Sequence, residues 1–220
     1  MFLPLSGNLY DSDFLTDGEI FFSTDILIGI RWEVNMKSYS KKIALYGVLS
    51  ALMFIFLLIE TYAFTAFLGA FTPAILTLPL AVAISVRDGA KGMWIGGTIF
   101  GACSFFLAVL IANPVFINPL ISILPRILIG VVAYLVYLLV KFIFGKSKKT
   151  FINQTLPLAV SGAFGILTNT VCTIFMMFLF KATGIEAVLA TVMSINFVAE
   201  VIGGIVLVPI YVKVFNKIDG

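Results

Sequence analysis

Long uncharged apolar runs alternate with short polar connections along most of the chain. Two of these runs, residues 49–59 and 131–140, contain no charged residue. A helix that crosses a bilayer needs about 20 predominantly apolar residues. The runs therefore predict an all-α integral membrane protein with about six transmembrane helices, near residues 43–64, 72–86, 92–112, 119–141, 156–180 and 187–212.

The second predicted span is shorter than the others and contains Pro73 and Pro79. Proline has no amide hydrogen and interrupts helices. Irregular backbone at membrane depth is tolerated only where the protein buries it or where it lines a water-filled cavity. We expect this span to be tilted, broken or partly re-entrant.

Basic residues mark alternate connections and so orient the predicted spans. One side of the membrane has only Lys181 in its connections. The other side has all the remaining basic residues of the connections, which predicts by the positive-inside rule that both termini are cytoplasmic. These basic residues are Lys37, Lys41, Lys42, Arg87, Lys91, Lys141, Lys146, Lys148, Lys149, Lys213 and Lys217.

The composition supports a membrane protein and argues against several enzyme classes. Hydrophobic residues make up 61% of the chain and charged residues 11%, against about half and a quarter in soluble domains. Histidine is absent, which excludes His-dependent nucleophilic dyads. An intramembrane aspartyl site needs two paired aspartates, but Asp88 lies in a connection and Asp219 at the terminus.

Other sequence features indicate what this chain does not bind. Cys103 and Cys172 lie in apolar runs, where they resemble small buried hydrophobes rather than metal ligands or a disulfide. No glycine-rich loop ends in Gly-Lys-Ser/Thr, so the chain lacks the motif that cradles nucleotide phosphates. We predict no metal site, no cofactor in this chain, no nucleic-acid partner and no enzymatic activity.

The first residues differ from the rest of the chain. Residues 1–35 contain six of the eleven acidic residues and one basic residue, Arg31. The codons for Trp32 to Met36 can hold a bacterial ribosome-binding sequence a short spacer upstream of the ATG of Met36. Our hypothesis is that 1–35 is a translated leader, with a peripheral N-terminal arm as the alternative, and that 36–220 is a six-helix membrane domain.

Polar residues inside the spans are the candidates for function, because burying them in a bilayer is costly. Arg126 is the foremost candidate, since Pro125 beside it should kink the fourth span and free backbone carbonyls. Two interpretations stay open: a cation in a ligand cavity or a locking ion pair, and an arginine satisfied by those carbonyls. We expect Glu200 to pair with Arg126, and Asn169 and Asn196 to be further buried polar groups.

Two other groups have less specific patterns. Glu60 and Glu186 fall near the outer interface, where we expect them to be solvated. Small residues on one face let helices approach closely, and we expect most of them to serve internal packing, although the first helix could use them to bind a partner protein. They are Ala44, Gly47 and Ala51 on the first span, Gly92, Gly96, Gly97 and Gly101 on the third, and Gly203 and Gly204 on the sixth.

Residues 36–220 resemble the substrate-binding S components of energy-coupling factor (ECF) transporters. The features that carry the resemblance are the interrupted second span, the polar turn at 87–92, the glycine-rich third span, and the string from Asn118-Pro119 to Pro125-Arg126 and Gly130. The resemblance implies a multi-pass protein of the bacterial cell membrane that captures a water-soluble vitamin. It implies as partners a membrane T subunit and two cytoplasmic ATPases, which use ATP and Mg²⁺.

The resemblance also implies positions for the two sites. In S components the T subunit contacts small residues on the first helix, which match Ala44, Gly47 and Ala51 here, with Gly47 in place of an alanine. The vitamin pocket of S components matches Phe67, Phe71, Asn118, Arg126, Asn169 and Asn196.

The absence of histidine argues against the metal-importing relatives. Among vitamins the sequence looks most like pantothenate-type members, whose ligand has a carboxylate that Arg126 could bind. Cobalamin and folate are alternatives, and so is a stand-alone secondary transporter of a small organic solute.

Overall fold

A computed structural model of the chain describes residues 40–64, 74–113, 115–145, 151–181, 186 and 195–219. Throughout these ranges the regular elements are helices. Five segments are long and apolar enough to cross a membrane, and a further apolar helix is shorter. The predicted all-α membrane protein of about six spans is confirmed. The 1–35 leader, Phe67 and Phe71 lie outside the described residues.

The helix bounds agree closely with the apolar runs. The last helix continues to Asp219, beyond the predicted end at residue 212. The first span ends in a short π-helical segment, Glu60–Phe64, and a second such segment, Phe151–Thr155, leads directly into the α-helix that begins at Leu156. The α-helical elements are α1 (Ser40–Ala63), α2 (Thr77–Arg87), α3 (Gly89–Leu110), α4 (Pro119–Ser122), α5 (Leu124–Phe144), α6 (Leu156–Leu179) and α7 (Ile195–Asp219).

The chain divides into two units, Met1–Val48 and Leu49–Gly220. The described part of the first unit, residues 40–48, is helical and forms the start of α1. The second unit contains the rest of α1 and the six helices that follow it. All the contacts described below lie within this second unit.

The short second span, α2, is the core of the bundle. Every residue from Thr77 to Val86 is buried, and α2 packs against α3, α5, α6 and α7. A helix that is apolar on all sides is a buried helix. At 11 residues it is only about 16 Å long, and Pro79 lies in its first turn, where helix amides have no intrahelical acceptor. Pro79 therefore lies in the start of a short helix and does not divide it, and the predicted shortness of the second span is confirmed.

The turn between α2 and α3 is as tight as the polar residues predict. Asp88 alone separates the two helices, and Gly89 has a φ of 66°. That left-handed conformation favours glycine, because a Cβ there is strained. The turn fixes α3 antiparallel to α2, and the two helices pack along their length.

Glycines allow the helices to pack with their backbones in contact. A Cβ added to Gly97 of α3 would collide with the carbonyl oxygen of Arg126 and lie 2.8 Å from the Cα of Ile127. A Cβ on Gly162 of α6 would similarly meet the backbone of Gly204 in α7. Small residues thus let α3 reach α5 and α6 reach α7, as predicted for internal packing.

The outer surface of the bundle is apolar. Phe142 is 85% exposed and Phe178 is 69% exposed. Large exposed hydrophobic surfaces of this extent are unstable in water and are covered by lipid in a membrane protein. Together with the long apolar helices, they identify the chain as a multi-pass membrane protein.

Candidate substrate-binding site

The fourth span is broken at Ile123, and the break positions Arg126. Pro125 lies in the first turn of α5 and has no amide hydrogen to donate to the carbonyl of Ile121, four residues earlier. Arg126 supplies the missing donor, because its Nη1 donates to the Ile121 carbonyl oxygen at 2.9 Å. The regular helix is thus interrupted at Ile123, two residues before Pro125, and one N–H of the guanidinium satisfies the carbonyl that the proline leaves free. The kink stays a prediction.

Two aromatic rings flank the guanidinium. Its Cζ lies 5.7 Å from the ring centroid of Phe100 in α3 and 5.3 Å from that of Phe116. Both distances are within the range of cation–π attraction. The Asn113 side chain accepts from the amide of Val115 at 3.1 Å, a local turn that directs Phe116 towards Arg126. Arg126 is only 7% exposed, so the rings and helices exclude most water from the cation.

The expected ion pair between Arg126 and Glu200 is not formed among the described residues. Glu200 is near enough for a Coulombic interaction with Arg126, but its Oε1 instead accepts from the amide of Ala74 at 2.9 Å. Arg126 has a further neighbour in α6, the hydroxyl of Thr173, at 3.5 Å from Nη1. The prediction of an Arg126–Glu200 pair is therefore wrong in the described structure, because the Glu200 carboxylate instead accepts from the backbone amide of Ala74.

Two buried polar atoms at this end of the bundle have no hydrogen-bond partner. They are the Nε of Arg126, a donor, and the Oδ1 of Asn169, an acceptor. Asn169 is four residues before Thr173, about one helical turn of 5.4 Å, and lies on the same face of α6. Thr173 is the α6 residue whose hydroxyl lies near Arg126. Buried unsatisfied groups are rare and need an explanation, and a bound molecule with matching polar groups is one.

Two acidic side chains cap the buried start of α2. Glu60 accepts from the amides of Leu76 and Thr77, the latter at 3.2 Å, and from the hydroxyl of Thr77. Glu200 accepts from the amide of Ala74. Carboxylates stabilise helix N-termini because unpaired amides point outwards there. Glu60 is 3% exposed, so the expectation that it is solvated is wrong, whereas Glu186 is exposed as expected.

The remaining predicted site residues have varied positions. Asn118 is the N-cap of α4, where its Oδ1 accepts from the amide of Leu120 at 3.0 Å. Asn196 is in the first turn of α7, but its side chain lies outside the described part of the chain. The roles predicted for these residues, and for Phe67 and Phe71, stay predictions.

The small residues predicted to contact a partner lie on an exposed face. Ala44, Gly47 and Ala51 are all exposed, and a Cβ added to Gly47 would meet no atom within 4 Å. Ala44 and Gly47, in the first unit, are three residues apart and lie on one side of its helix, and Ala51 is exposed at the start of the second unit.

Sequence reasoning missed Phe100, Phe116 and Asn113. Phe116 is in a short connection and Asn113 starts an Asx turn, which is a recognisable local signal. Phe100 is three residues after Gly97, on the α3 face that meets Arg126. That face is recognisable only once the α3–α5 contact is known, because nothing local in the sequence tells Phe100 from the other phenylalanines.

Comparison with known proteins gives one distant similarity. No protein-family model matches the chain. The chain is 23% identical, over 202 residues, to a protein described as the pantothenic acid transporter PanT of Lactococcus lactis subsp. cremoris (strain MG1363). The aligned region covers 82% of this chain and 96% of that relative. The apolar helices and this bacterial relative support the prediction that the chain is a multi-pass protein of a bacterial membrane.

Proposed function

We propose that the chain is the substrate-capturing S component of an ECF-type importer, and that its substrate is pantothenate. The observation that carries the proposal is the Arg126 site: a buried guanidinium between Phe100 and Phe116, with a donor atom still unpaired. The distant similarity to a pantothenic acid transporter supports the same conclusion.

The site suits a small carboxylate that also carries hydrogen-bond donors. A carboxylate can accept from the unpaired Nε–H of Arg126, and charge-assisted bonds of this kind are about twice as strong as neutral ones. The free Oδ1 of Asn169 can accept from a hydroxyl or amide N–H. Pantothenate has a carboxylate, an amide and two hydroxyl groups, and is thus complementary to both unpaired atoms.

The site also explains how affinity could be achieved within a membrane protein. The flanking rings keep water away from the cation, and a low local dielectric strengthens its attraction for a carboxylate. The backbone bond to Ile121 at 2.9 Å fixes the guanidinium before the ligand arrives. A preorganised site loses less free energy in ordering its side chains on binding.

The first experiment is isothermal titration of the detergent-solubilised chain, expressed alone, with pantothenate, cobalamin and folate. We expect saturable binding of pantothenate and no heat of binding from the other two. Tight binding of cobalamin or folate instead would support the S-component function but would contradict pantothenate as the substrate. Absence of binding throughout would contradict substrate capture by the isolated chain.

The partner part of the proposal concerns the exposed face of α1. We propose that Ala44, Gly47 and Ala51 contact a T subunit, which works with two ATPases that use ATP and Mg²⁺. Gly47→Leu should leave pantothenate affinity unchanged, because a Cβ at this exposed position would meet no atom within 4 Å, but should block uptake by crowding the partner. If cells expressing Gly47→Leu took up pantothenate at the unaltered rate, the proposal that this face contacts the T subunit would be contradicted.

Co-purification separates an S component from a stand-alone carrier. An affinity-tagged chain isolated from its native membrane should recover the ATPase subunits, and Gly47→Leu should recover fewer. Uptake into vesicles that contain this chain alone would instead identify a secondary transporter.

A further inference from the structure

A basic cavity lies at the opposite end of the bundle from Arg126. Its volume is about 420 Å³, and it opens where α2, α5 and α7 approach their C-terminal ends and the π-helical segment leads into α6. Arg126 and Lys141 are 15 residues apart on α5, or about 22 Å along the helix axis, so the two sites are separate. The charged and amide side chains that line the cavity are Arg87, Lys141, Lys213, Asn153, Gln154 and Asn216.

Three cations converge on this cavity, and none of the residues that line it is acidic. Asp88, which does not line the cavity, forms an ion pair with Arg87, with its Oδ1 3.8 Å from Nε, so the charge of Arg87 is partly offset and Lys141 and Lys213 supply the rest of the positive charge. Like charges that are brought together repel each other, and a bound anion offsets that repulsion. Amide groups of Asn153, Gln154 and Asn216 add neutral hydrogen-bond donors of the kind that bind phosphate oxygens.

Aromatic rings hold two of the three cations at the cavity. The guanidinium of Arg87 lies 5.5 Å from the ring centroid of Phe215. The ammonium of Lys141 lies 5.2 Å from the ring centroid of Tyr137, and it donates to the Tyr137 hydroxyl at 3.1 Å. Lysine side chains at a surface are normally free to move, so these contacts give the cavity a more fixed geometry than a cluster of solvated charges.

The charge pattern predicts that the cavity lies near the lipid headgroups of the cytoplasmic side. Its cations come from three separate connections or helix ends that the positive-inside rule assigns to the cytoplasmic side. Apolar Val86, Leu158 and Val212 also line it, while Phe142 and Val214, next in sequence to Lys141 and Lys213, are 85% and 48% exposed. A headgroup in the cavity would thus have a lipid-facing surface nearby for its acyl chains.

We propose that this cavity binds a phosphate group at the cytoplasmic face of the membrane. Phosphate esters reach that face from two sources, the headgroup of an anionic phospholipid and a soluble phosphate monoester. Basic pockets between transmembrane helices commonly take anionic headgroups. The proposal does not depend on which substrate binds at Arg126.

The test compares the chain in nanodiscs of phosphatidylcholine with and without one-fifth phosphatidylglycerol. Native mass spectrometry after delipidation counts the phosphatidylglycerol molecules that stay bound. We expect selective retention by the unaltered chain, and a reduction of about thirtyfold in Lys141→Gln/Lys213→Gln, since each basic residue contributes about a factor of five. The matched control, Lys91→Gln/Lys217→Gln, removes two exposed lysines of the same face that do not line the cavity and should retain lipid normally.

A second arm titrates the chain, in phosphatidylcholine alone, with glycerol 3-phosphate and with inorganic phosphate. Saturable binding that Lys141→Gln/Lys213→Gln removes, without phosphatidylglycerol retention, assigns the cavity to a soluble phosphate ester. Equal losses in both double variants would show only general attraction to the basic face and overturn the proposal. So would the absence of both lipid selectivity and phosphate binding in the unaltered chain.

Discussion

Arg126 and Lys141 lie near opposite ends of the same helix, α5, and their surroundings differ in almost every respect. Arg126 is 7% exposed, between two aromatic rings, and bonded to a backbone carbonyl that a proline has left free. Lys141 is exposed, at the rim of a cavity that two other cations share.

On our two proposals, the difference corresponds to two ways of binding an anion. At the Arg126 end, a single desolvated charge is fixed by its neighbours, and its geometry is proposed to select the ligand. At the basic end, several partly solvated charges act together, and each contributes modestly because water and salt screen it. Substitutions should therefore have large and specific effects at the first end and small, cumulative effects at the second.

The largest effect is expected from Arg126→Gln. The loss of a buried charged partner costs about 2–5 kcal/mol, so pantothenate affinity in isothermal titration should fall by at least about thirtyfold. The matched variant at the other end of α5, Lys141→Gln, should bind pantothenate normally. Equal losses of pantothenate affinity in both variants would contradict the proposed difference between the two ends of α5.

A double variant separates the ligand role of Arg126 from its structural role. Pro125→Ala restores an amide that can donate to the Ile121 carbonyl, which is the bond that Arg126 now makes. Pro125→Ala/Arg126→Gln should therefore recover thermal stability relative to Arg126→Gln but should not recover pantothenate binding. Recovery of binding would mean that Arg126 only braces the helix break.

The next largest effect is expected from Glu60→Ala, and it is on stability. The change leaves the buried start of α2 without the carboxylate that accepts from Leu76 and Thr77. Each unsatisfied buried donor costs about 1–3 kcal/mol, so the apparent Tm in detergent should fall by several degrees. Glu186→Ala, at an exposed acid, is the control and should leave the Tm unchanged; an equal fall in both would mean that the cap does not stabilise α2.

These residues show what the sequence could and could not predict. Hydropathy placed the spans, and the cost of a charge in a bilayer singled out Arg126, because both are local properties. The acceptors at the start of α2 come from residues 16 and 126 positions away from the amides they satisfy. No local pattern identifies Glu60 as a cap rather than a solvated acid, or assigns Glu200 to Ala74 rather than to Arg126, because both depend on which helices are neighbours.

A smaller effect is expected from Gly97→Ala. The added methyl group would collide with the backbone of Arg126 and Ile127, and overpacking of this kind costs about 1–3 kcal/mol. Displacement of α5 would also move the guanidinium, so we expect a fall in both Tm and pantothenate affinity. Gly47→Ala, where a Cβ meets no atom, should change neither quantity. Unaltered affinity in Gly97→Ala would show that the Arg126 site tolerates a shift of α5.

The smallest effect is expected from Asn169→Ala, and its sign distinguishes a ligand group from a structural one. The Oδ1 of Asn169 is buried without a partner, so its removal should leave the Tm of the ligand-free chain unchanged or slightly raised. Pantothenate affinity should nevertheless fall about three- to tenfold, the contribution of one neutral hydrogen bond. Thr168→Ala is the adjacent control, because the Thr168 hydroxyl already donates to the Phe164 carbonyl of its own helix. If Asn169→Ala lowered the Tm and left affinity intact, the unpaired oxygen would belong to the packing of α6, and the ligand would be held from the Arg126 side alone.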